Sequence, residues 1–170
     1  MVDIKISIAK TLVNEGGYTN NPADSGGATK YGVTQHDITG LPGFPVDVKN
    51  LTEAQATEYY ECYYWAKFGG AGHFAQVNFP MIEAQLVMDK VFDMAVLFGV
   101  DEAVILIEGV LQLVEDGLFG PHALAAVNKA DPLSLVQAFK AALAAHALGI
   151  ANAQPHDRVF LVGWLRRINS

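Results

Sequence analysis

The sequence predicts a mainly α chain with a small loop or hairpin lobe near its N-terminus. Apolar residues recur at helical spacing through most of the 170 residues, whereas the only strand-like signal falls within residues 18–35. Prolines and N-capping residues stand where several of the helical segments begin. Because 51% of the residues are apolar, the chain can bury a sizeable core.

The predicted helices follow one another with short breaks. The first covers residues 3–14, with Asp3 as its N-cap and Ile4, Ile8 and Leu12 on its apolar face. Further helices are predicted from Thr52, over Met81 to Phe98, from Asp101 to about Val114, from Pro121, from Pro132 to about Gly149, and over Arg158 to Ile168.

The helix that begins at Thr52 carries an aromatic ridge. Thr52 and Gln55 have the spacing of a capping box. The ridge is formed by tyrosines at spacings of three and four: Tyr59, Tyr60, Tyr63 and Tyr64. Cys62 lies among them as the only cysteine, so no intramolecular disulfide can form. We expect it to be a small buried hydrophobic residue.

Charge and composition exclude several classes of function. The net charge of −7 argues against nucleic acid as a partner and against adhesion to an anionic membrane. No uncharged apolar run reaches about 18 residues, so no stable membrane insertion is expected. The start "MVDIKISIAKTL" lacks the pattern of a signal peptide. The five histidines lack the spacing of metal ligands, which predicts no metal site.

The segment "NEGGYTNNPADSGGATKYGVT", residues 14–34, holds five glycines and the carboxylates of Glu15 and Asp24. Glu15 lies at the last turn of the first helix, which stops at Gly16 and Gly17; partial burial and the negative end of the helix dipole both disfavour a charged carboxyl group there. A neutral carboxyl group is what a general acid needs. Gly16 and Gly17 can take positive φ and allow a polymer to approach the backbone.

Asp24 lies nine residues after Glu15, beyond the turn formed by "NNP". Two carboxyl groups that face each other across about 6.5–9.5 Å would fit an inverting glycosidase. Thr29 and Thr34 could hold a water molecule or a sugar hydroxyl. The structural alternative is that Glu15 accepts hydrogen bonds from loop amides and Asp24 forms an Asx-turn.

The same segment resembles the signature of glycoside hydrolase family 108, phage and prophage N-acetylmuramidases that cleave peptidoglycan. That signature runs E-G-G-Y, then a proline and an aspartate, then G-G-x-T-x-x-G-[IV]-T, and all of it is present. The resemblance implies a lysozyme-like helical fold, no cofactor, and Glu15 as the catalytic residue. It also parallels the phage-type lysozymes, in which Asp24 and Thr29 would correspond to the aspartate and threonine that follow the glutamate.

The later part of the chain resembles the predicted peptidoglycan-binding region of that family. The matching stretches are "YYWAKFGG", "VFDMAVLFG" for F-D-x-A-V, "EDGLFGPHAL" for D-G-x-x-G-P, and "GWLRRI" for G-W-x-x-R. We therefore expect a catalytic region over residues 1–75 and a helical peptidoglycan-binding region over residues 76–170. Leu97 stands where the family usually has asparagine, and Ala123 where it usually has threonine.

Further residues are predicted to contact substrate or to fix the fold. Candidates for substrate contact are Gly17, Tyr18, Tyr31, Thr34 and Trp65, by backbone approach, hydroxyl contact or stacking on sugar faces. Asp93 lies in an apolar helix and is expected to bond a backbone group or an arginine, since an unpaired buried charge is costly. The acidic residues from Asp101 to Asp116 and the basic residues Arg158, Arg166 and Arg167 are expected to form solvated faces.

The expected activity is hydrolysis of the β-1,4 bond between N-acetylmuramic acid and N-acetylglucosamine in peptidoglycan. Three alternatives stay open: a lytic transglycosylase, a non-catalytic wall-binding protein, and an adaptor that uses the acidic helix. We expect the enzyme to remain in the bacterial cytoplasm until a holin or another route releases it to the wall.

Overall fold

The computed structural model describes residues 3–20, 27–64 and 81–170, with the backbone alone over residues 81–84. Within these residues the chain is mainly α-helical, as predicted. The helices are α1 (Ile4–Glu15), α2 (Gln35–Ile38), α3 (Glu53–Tyr59), α4 (Met81–Phe98), α5 (Val100–Val110), α6 (Pro121–Val127), α7 (Pro132–Ala153) and α8 (Arg158–Asn169). Short 3₁₀ turns lie at Val48–Asn50 and Pro155–Asp157, and a π-helical turn at Tyr60–Tyr64 follows α3.

Side-chain caps begin three of these helices where the sequence predicts them. Asp3 accepts a hydrogen bond from the amide of Lys5 at the start of α1. Thr52 and Gln55 form both halves of a capping box at the start of α3. Asp131 caps α7, whose first residue is Pro132.

Two helices end at other residues than predicted. α5 ends at Val110 rather than near Val114, and Gln112 has a φ of +58°, which no helix can continue through. α7 runs past Gly149 to Ala153, because Ala147 and Ala151 continue its buried face on both sides of that glycine. Helical periodicity therefore overrides a single glycine in this position.

A two-stranded hairpin forms the small lobe within the predicted residues 18–35. β1 (Thr29–Lys30) pairs antiparallel with β2 (Val33–Thr34). The turn residues Tyr31 and Gly32 have φ of +54° and +75°, the left-handed pair that a two-residue hairpin turn requires. Thr19 pairs with Thr29 through two backbone hydrogen bonds of 2.9 Å, so the chain after α1 is held beside β1.

The core is centred on α4, which packs against α1, α5 and α7. Its buried residues Met88 and Phe92 lie in the same apolar cluster as Ile8 and Leu12 of α1. The hairpin joins this cluster through Val33, which is fully buried. The hairpin lobe and the helices thus share one core, which fixes the hairpin relative to the end of α1.

The prediction that Cys62 is buried is wrong, since its side chain is exposed. Cys62 lies in the π-helical turn. The fully buried side chains in this part of the chain are those of Tyr60 and Ala56. The extra residue per turn of a π-helix shifts which side chains face the core.

By length and composition α7 is apolar enough to cross a membrane. In the bundle it packs against α4, α5 and α8, and buries Leu135, Phe139 and Leu143 in the shared core. A core helix passes the same composition test as a membrane span, so the expected absence of membrane insertion stays a prediction.

Candidate active site

Glu15 is the last residue of α1 and lies at the junction with the glycine-rich segment, as predicted. Gly16 follows with a φ of +71°, which ends the helix. The Glu15 side chain is only 17% exposed, and its Oε1 lies 2.6 Å from Nη1 of Arg167. A partly buried carboxyl group is thus held against a guanidinium group from the last helix of the chain.

The turn of the hairpin forms one wall of this site. A Cβ at Gly32 would lie 2.8 Å from both Cδ and Cγ of Glu15, so glycine is needed for the backbone to approach this closely. The hydroxyl of Tyr60 donates a 3.0 Å hydrogen bond to the carbonyl of Tyr31. The π-helical turn therefore anchors the hairpin turn over the Glu15 side chain.

Arg167 is oriented by Asp93 of α4. Its Nε and Nη2 donate hydrogen bonds of 3.1 and 2.9 Å to Oδ1 of Asp93, and Nη2 also reaches the backbone carbonyl of Asp93 at 3.3 Å. Burial opposes the charge of Arg167, but these hydrogen bonds and the charges of Glu15 and Asp93 raise its pKa above the ordinary value. The expectation that Asp93 bonds an arginine is confirmed.

The expectation that Arg167 belongs to a solvated face is wrong. Its side chain is 13% exposed, whereas Arg166 beside it is exposed to solvent. Successive residues of a helix point about 100° apart, so one arginine of the pair faces the bundle and the other faces solvent. Two carboxylates within the bundle compensate the buried charge.

A polar seam between α1 and α4 leads to the site. Ser7 and Lys10 contact Asp89, with a 2.6 Å hydrogen bond from the serine hydroxyl. One turn further along, the hydroxyl of Thr11 and the amide of Asn14 donate to Oδ1 of Asp93 at 3.3 and 3.2 Å. Ser7, Thr11 and Glu15 are spaced four residues apart in α1, and Asp89 and Asp93 are spaced four residues apart in α4.

Two lysines donate hydrogen bonds to backbone carbonyls at the C-terminal end of α8. Lys90, nearly buried, donates a 3.0 Å hydrogen bond to the carbonyl of Arg167 and lies 4.0 Å from Asp93. Lys140 donates to the carbonyl of Asn169 at 3.1 Å. Burial lowers the pKa of Lys90, and the charge of Asp93 opposes that effect. Cations at the carbonyl end of a helix are favourable, so the lysines stabilise the end of α8 that carries Arg167.

Aromatic rings pack next to the site. Tyr60 packs edge-to-face against Tyr64 and Phe92, with ring centroids 5.5 and 5.8 Å apart. Burial and the nearby carboxylate of Glu15 raise the pKa of the Tyr60 hydroxyl. The hydroxyl of Tyr64 donates to the carbonyl of Ala95. The predicted aromatic ridge therefore splits, with Tyr60 in the core and Tyr63 exposed.

Two predicted site residues, Asp24 and Trp65, lie outside the described residues. Gly17 and Tyr18 follow α1 and are exposed. Nζ of Lys49 lies 5.9 Å from the centre of the Tyr18 ring. Tyr31 is half-buried in the hairpin turn, where its carbonyl accepts the Tyr60 hydroxyl. Substrate contact by these residues stays a prediction.

Thr29 and Thr34 are cross-strand partners in the hairpin. The hydroxyl of Thr34 accepts a hydrogen bond from the amide of Asp37 at 3.1 Å, and the Asp37 carboxylate accepts one from the amide of Thr34 at 2.8 Å, which together form a capping box for α2. Thr29 is half-buried beside Thr19. The threonine at position 34 is thus engaged in helix capping, and the role of Thr29 towards water stays a prediction.

Three residues of the site are missing from the predicted set: Gly32, Tyr60 and Arg167. Gly32 and Arg167 belong to the G-V-T and G-W-x-x-R stretches that carry the resemblance, so their motifs single them out. Their contact with Glu15 depends on packing between segments up to 152 positions apart, which no local pattern specifies.

The acidic helix is less solvated than predicted. Glu108 is 3% exposed and accepts a 2.9 Å hydrogen bond from the amide of Gly117. Ala123, where the family usually has threonine, is buried in α6, and Leu97 packs against the core. Among the described residues no group of three or more His, Cys, Asp or Glu side chains could hold a metal ion.

Comparisons with known proteins agree with this architecture. Residues 8–99 match the family model described as Glycosyl hydrolase 108, and residues 104–169 match one described as Predicted Peptidoglycan domain. The solved structure described as "Structure of Brucella abortus SagA" is similar over 97% of this chain and 91% of that chain, with 30% identity and a TM-score of 0.75. A comparison with curated proteins gives no match.

These matches confirm the mainly α, lysozyme-like fold and support peptidoglycan as the partner of the chain. The first family model covers more than half of the 170 residues and contains Glu15, Gly32 and Asp93. The second contains Arg167. The chain therefore belongs to glycosyl hydrolase family 108 and is a glycoside hydrolase.

Proposed function

We propose that the protein is an N-acetylmuramidase that cleaves the β-1,4 bond between N-acetylmuramic acid and N-acetylglucosamine, with Glu15 as the general acid. The observation that carries the proposal is the position of Glu15: a partly buried carboxyl group at the end of α1, under the hairpin turn and beside a buried arginine. A rigid helix end and a close backbone wall hold one side chain in one place, as proton transfer to a glycosidic oxygen requires.

In this mechanism Glu15 donates its proton to the oxygen of the leaving sugar as the glycosidic bond breaks. The carboxylate that remains lies 2.6 Å from the guanidinium group of Arg167, which compensates the new negative charge. We propose that Asp24 and Thr29 direct a water molecule to the opposite sugar face, as expected for an inverting glycosidase. Glycines 16 and 17 leave room for the glycan next to the backbone.

The test is mass spectrometry of purified peptidoglycan after incubation with the wild-type protein and with Glu15→Gln. We expect the wild type to release fragments with reducing N-acetylmuramic acid ends and Glu15→Gln to release none. The exposed Glu58→Gln serves as a matched control and should behave as the wild type. Circular dichroism and thermal unfolding establish that the Glu15 variant is folded.

Other products would support other reaction types. Fragments with 1,6-anhydro ends from the wild type would identify a lytic transglycosylase, which needs no water molecule. Reducing ends on N-acetylglucosamine would identify cleavage of the other glycosidic bond. Binding to peptidoglycan without cleavage, unchanged in Glu15→Gln, would identify a wall-binding protein and contradict the proposal.

We also propose that the enzyme stays in the bacterial cytoplasm until a holin or another route gives it access to the wall. The exposed, acidic surface implied by a net charge of −7 offers no attraction to an anionic envelope. Expression with and without a co-expressed holin, followed by cell turbidity, tests this. Lysis from expression alone, while the inner membrane is still intact, would contradict it.

A further inference from the structure

We propose that Arg167, oriented by Asp93, is a positioning residue that sets the pH range over which Glu15 acts as the acid. The guanidinium group is shared between the two carboxylates, so Asp93 balances part of the positive charge that Glu15 faces. This inference rests on the proposed function of Glu15.

The contacts of Arg167 with its two partners differ in kind. Nε and Nη2 are aligned with Oδ1 of Asp93 as hydrogen bonds, so Asp93 fixes the plane of the guanidinium group. Nη1 faces Oε1 of Glu15 in a close ion pair of 2.6 Å. Arg167 therefore places its charge directly on the carboxyl group of Glu15.

Charge near a general acid has two opposite effects during the reaction. A cation stabilises the carboxylate after the proton has left, but it also favours that ionised form before the substrate arrives. The carboxylate of Asp93 on the same guanidinium group weakens this effect, because it neutralises part of the positive charge.

The titratable groups around Glu15 come from three elements. Arg167 of α8 lies in direct contact, and the hydroxyl of Tyr60 lies against the same hairpin turn. Tyr64 is near enough for the carboxylate to raise its pKa, together with burial as the larger cause. Asp93 of α4 acts through Arg167, and Lys90 acts through Asp93 at 4.0 Å. Arg167 is the cation in direct contact among the described residues.

Arg167 lies at the end of α8, close to the last residue of the chain segment that matches the peptidoglycan-domain model. Lys90 and Lys140 hold the backbone carbonyls of this helix end. The second matched region thus supplies a side chain to the site of the first. We infer that the two regions work as one catalytic unit.

The experiment measures the pH dependence of kcat and KM for hydrolysis of solubilised peptidoglycan by the full chain. The variants are Arg167→Gln, which removes the cation, and Asp93→Asn, which removes the balancing carboxylate with nearly the same shape. Arg166→Gln is the matched control, since it removes an exposed arginine from the adjacent position of α8.

The two variants should shift the alkaline limb of the pH–activity profile, where activity falls as the pH rises, in opposite directions. Loss of the cation favours the protonated acid, so Arg167→Gln should move the limb up by about one pH unit, while kcat falls about tenfold at little change in KM. Loss of Asp93 leaves the full charge of Arg167 on Glu15, so Asp93→Asn should move the limb down by a similar amount. Arg166→Gln should leave it unchanged.

A purely structural role for Arg167 would lower thermal stability without moving the limb, and that result would overturn the inference. Arg167→Lys keeps the charge but cannot serve both carboxylates in a planar fork, so its alkaline limb should lie between those of the wild type and Arg167→Gln. If Arg167→Gln does not fold, two other results test the inference. The alkaline limb should shift down in Asp93→Asn, and it should take the intermediate position in Arg167→Lys.

Failure of the inference is distinguishable from failure of the proposed function. Wild-type hydrolysis that is lost in Glu15→Gln, with alkaline limbs unmoved in both charge variants, would overturn the role of Arg167 alone. No hydrolysis by the wild type, or unchanged hydrolysis by Glu15→Gln, would overturn both proposals.

Discussion

Gly32 and Glu15 are in van der Waals contact, although one belongs to a hairpin turn and the other to the end of a helix. No side chain fits between them, since a Cβ on Gly32 would lie 2.8 Å from Cδ and Cγ of Glu15. The hairpin therefore limits where the carboxyl group of Glu15 can move. This contact gives the glycine-rich segment a steric role beyond chain reversal.

We expect Gly32→Ala to lower both stability and activity. Its φ of +75° costs a residue with a Cβ about 1–2 kcal/mol, and the Cβ would also displace the Tyr60 hydroxyl, at 2.6 Å, and the Glu15 side chain, at 2.8 Å. Gly40→Ala is the matched control: its φ is +79°, but nothing lies within 4 Å of its Cβ. Urea unfolding should show a loss in both variants, whereas activity should fall far more in Gly32→Ala. Equal activities would contradict a steric role at Glu15.

Tyr60→Phe should destabilise the protein by about 1 kcal/mol. The change removes the hydrogen bond to the carbonyl of Tyr31 but keeps the ring that packs on Phe92. Tyr63→Phe, at an exposed position of the same π-helical turn, should change the free energy of unfolding by less than about 0.5 kcal/mol. Chemical unfolding of both variants checks this, and equal values would show that the hydrogen bond contributes nothing.

Asp24→Asn should retain more activity than Glu15→Gln. If Asp24 orients water, an amide at that position still accepts a hydrogen bond, whereas no other group replaces the proton of Glu15. Initial rates of wall lysis by folded variants measure the difference. Complete loss in both would assign Asp24 as an essential base or nucleophile.

Glu108→Gln should stabilise the protein increasingly as the pH rises from about 4 to 7. Burial raises the pKa of Glu108 above its ordinary value of 4.5, with a smaller contribution from the charge of Asp116, so the folded state binds that proton more tightly than the unfolded state. The associated stability is present below the ordinary value and is lost as the pH rises through the folded-state value.

Glutamine at position 108 does not titrate and still accepts the hydrogen bond from Gly117. Melting temperatures at pH 4, 5.5 and 7 should therefore diverge between Glu108→Gln and the wild type. The exposed Glu115→Gln is the control and should show no such trend. Parallel curves for Glu108→Gln and the wild type would contradict the raised pKa.

Local patterns predicted the helices well because their signals are local. Asp3 and the capping box at Thr52 each act within one helical turn, and both appear in the structure as predicted. The end of α5 and the course of α7 past Gly149 departed from prediction. In α7, burial against neighbouring helices outweighs the preference of a single glycine.

The candidate site was only partly predictable. The position of Glu15 before two glycines, and its match to the family signature, identified the acid. Cys62 and Arg167 were misplaced because a π-helical turn and a helix rotation decide which side chains face inward. Asp93 was predicted to bond an arginine, yet which arginine it bonds depends on where the last helix packs.

By itself the sequence determined the mainly α architecture, the place of the hairpin and the residue that we propose as the acid, because capping, periodicity and turn chemistry act over a few neighbouring residues. Only the tertiary structure decided that Gly32, Asp93 and Arg167 meet around Glu15. These residues come from the hairpin, α4 and α8, and their meeting follows from the burial of one shared core. The electrostatic surroundings of the acid are therefore a property of the folded bundle rather than of any segment.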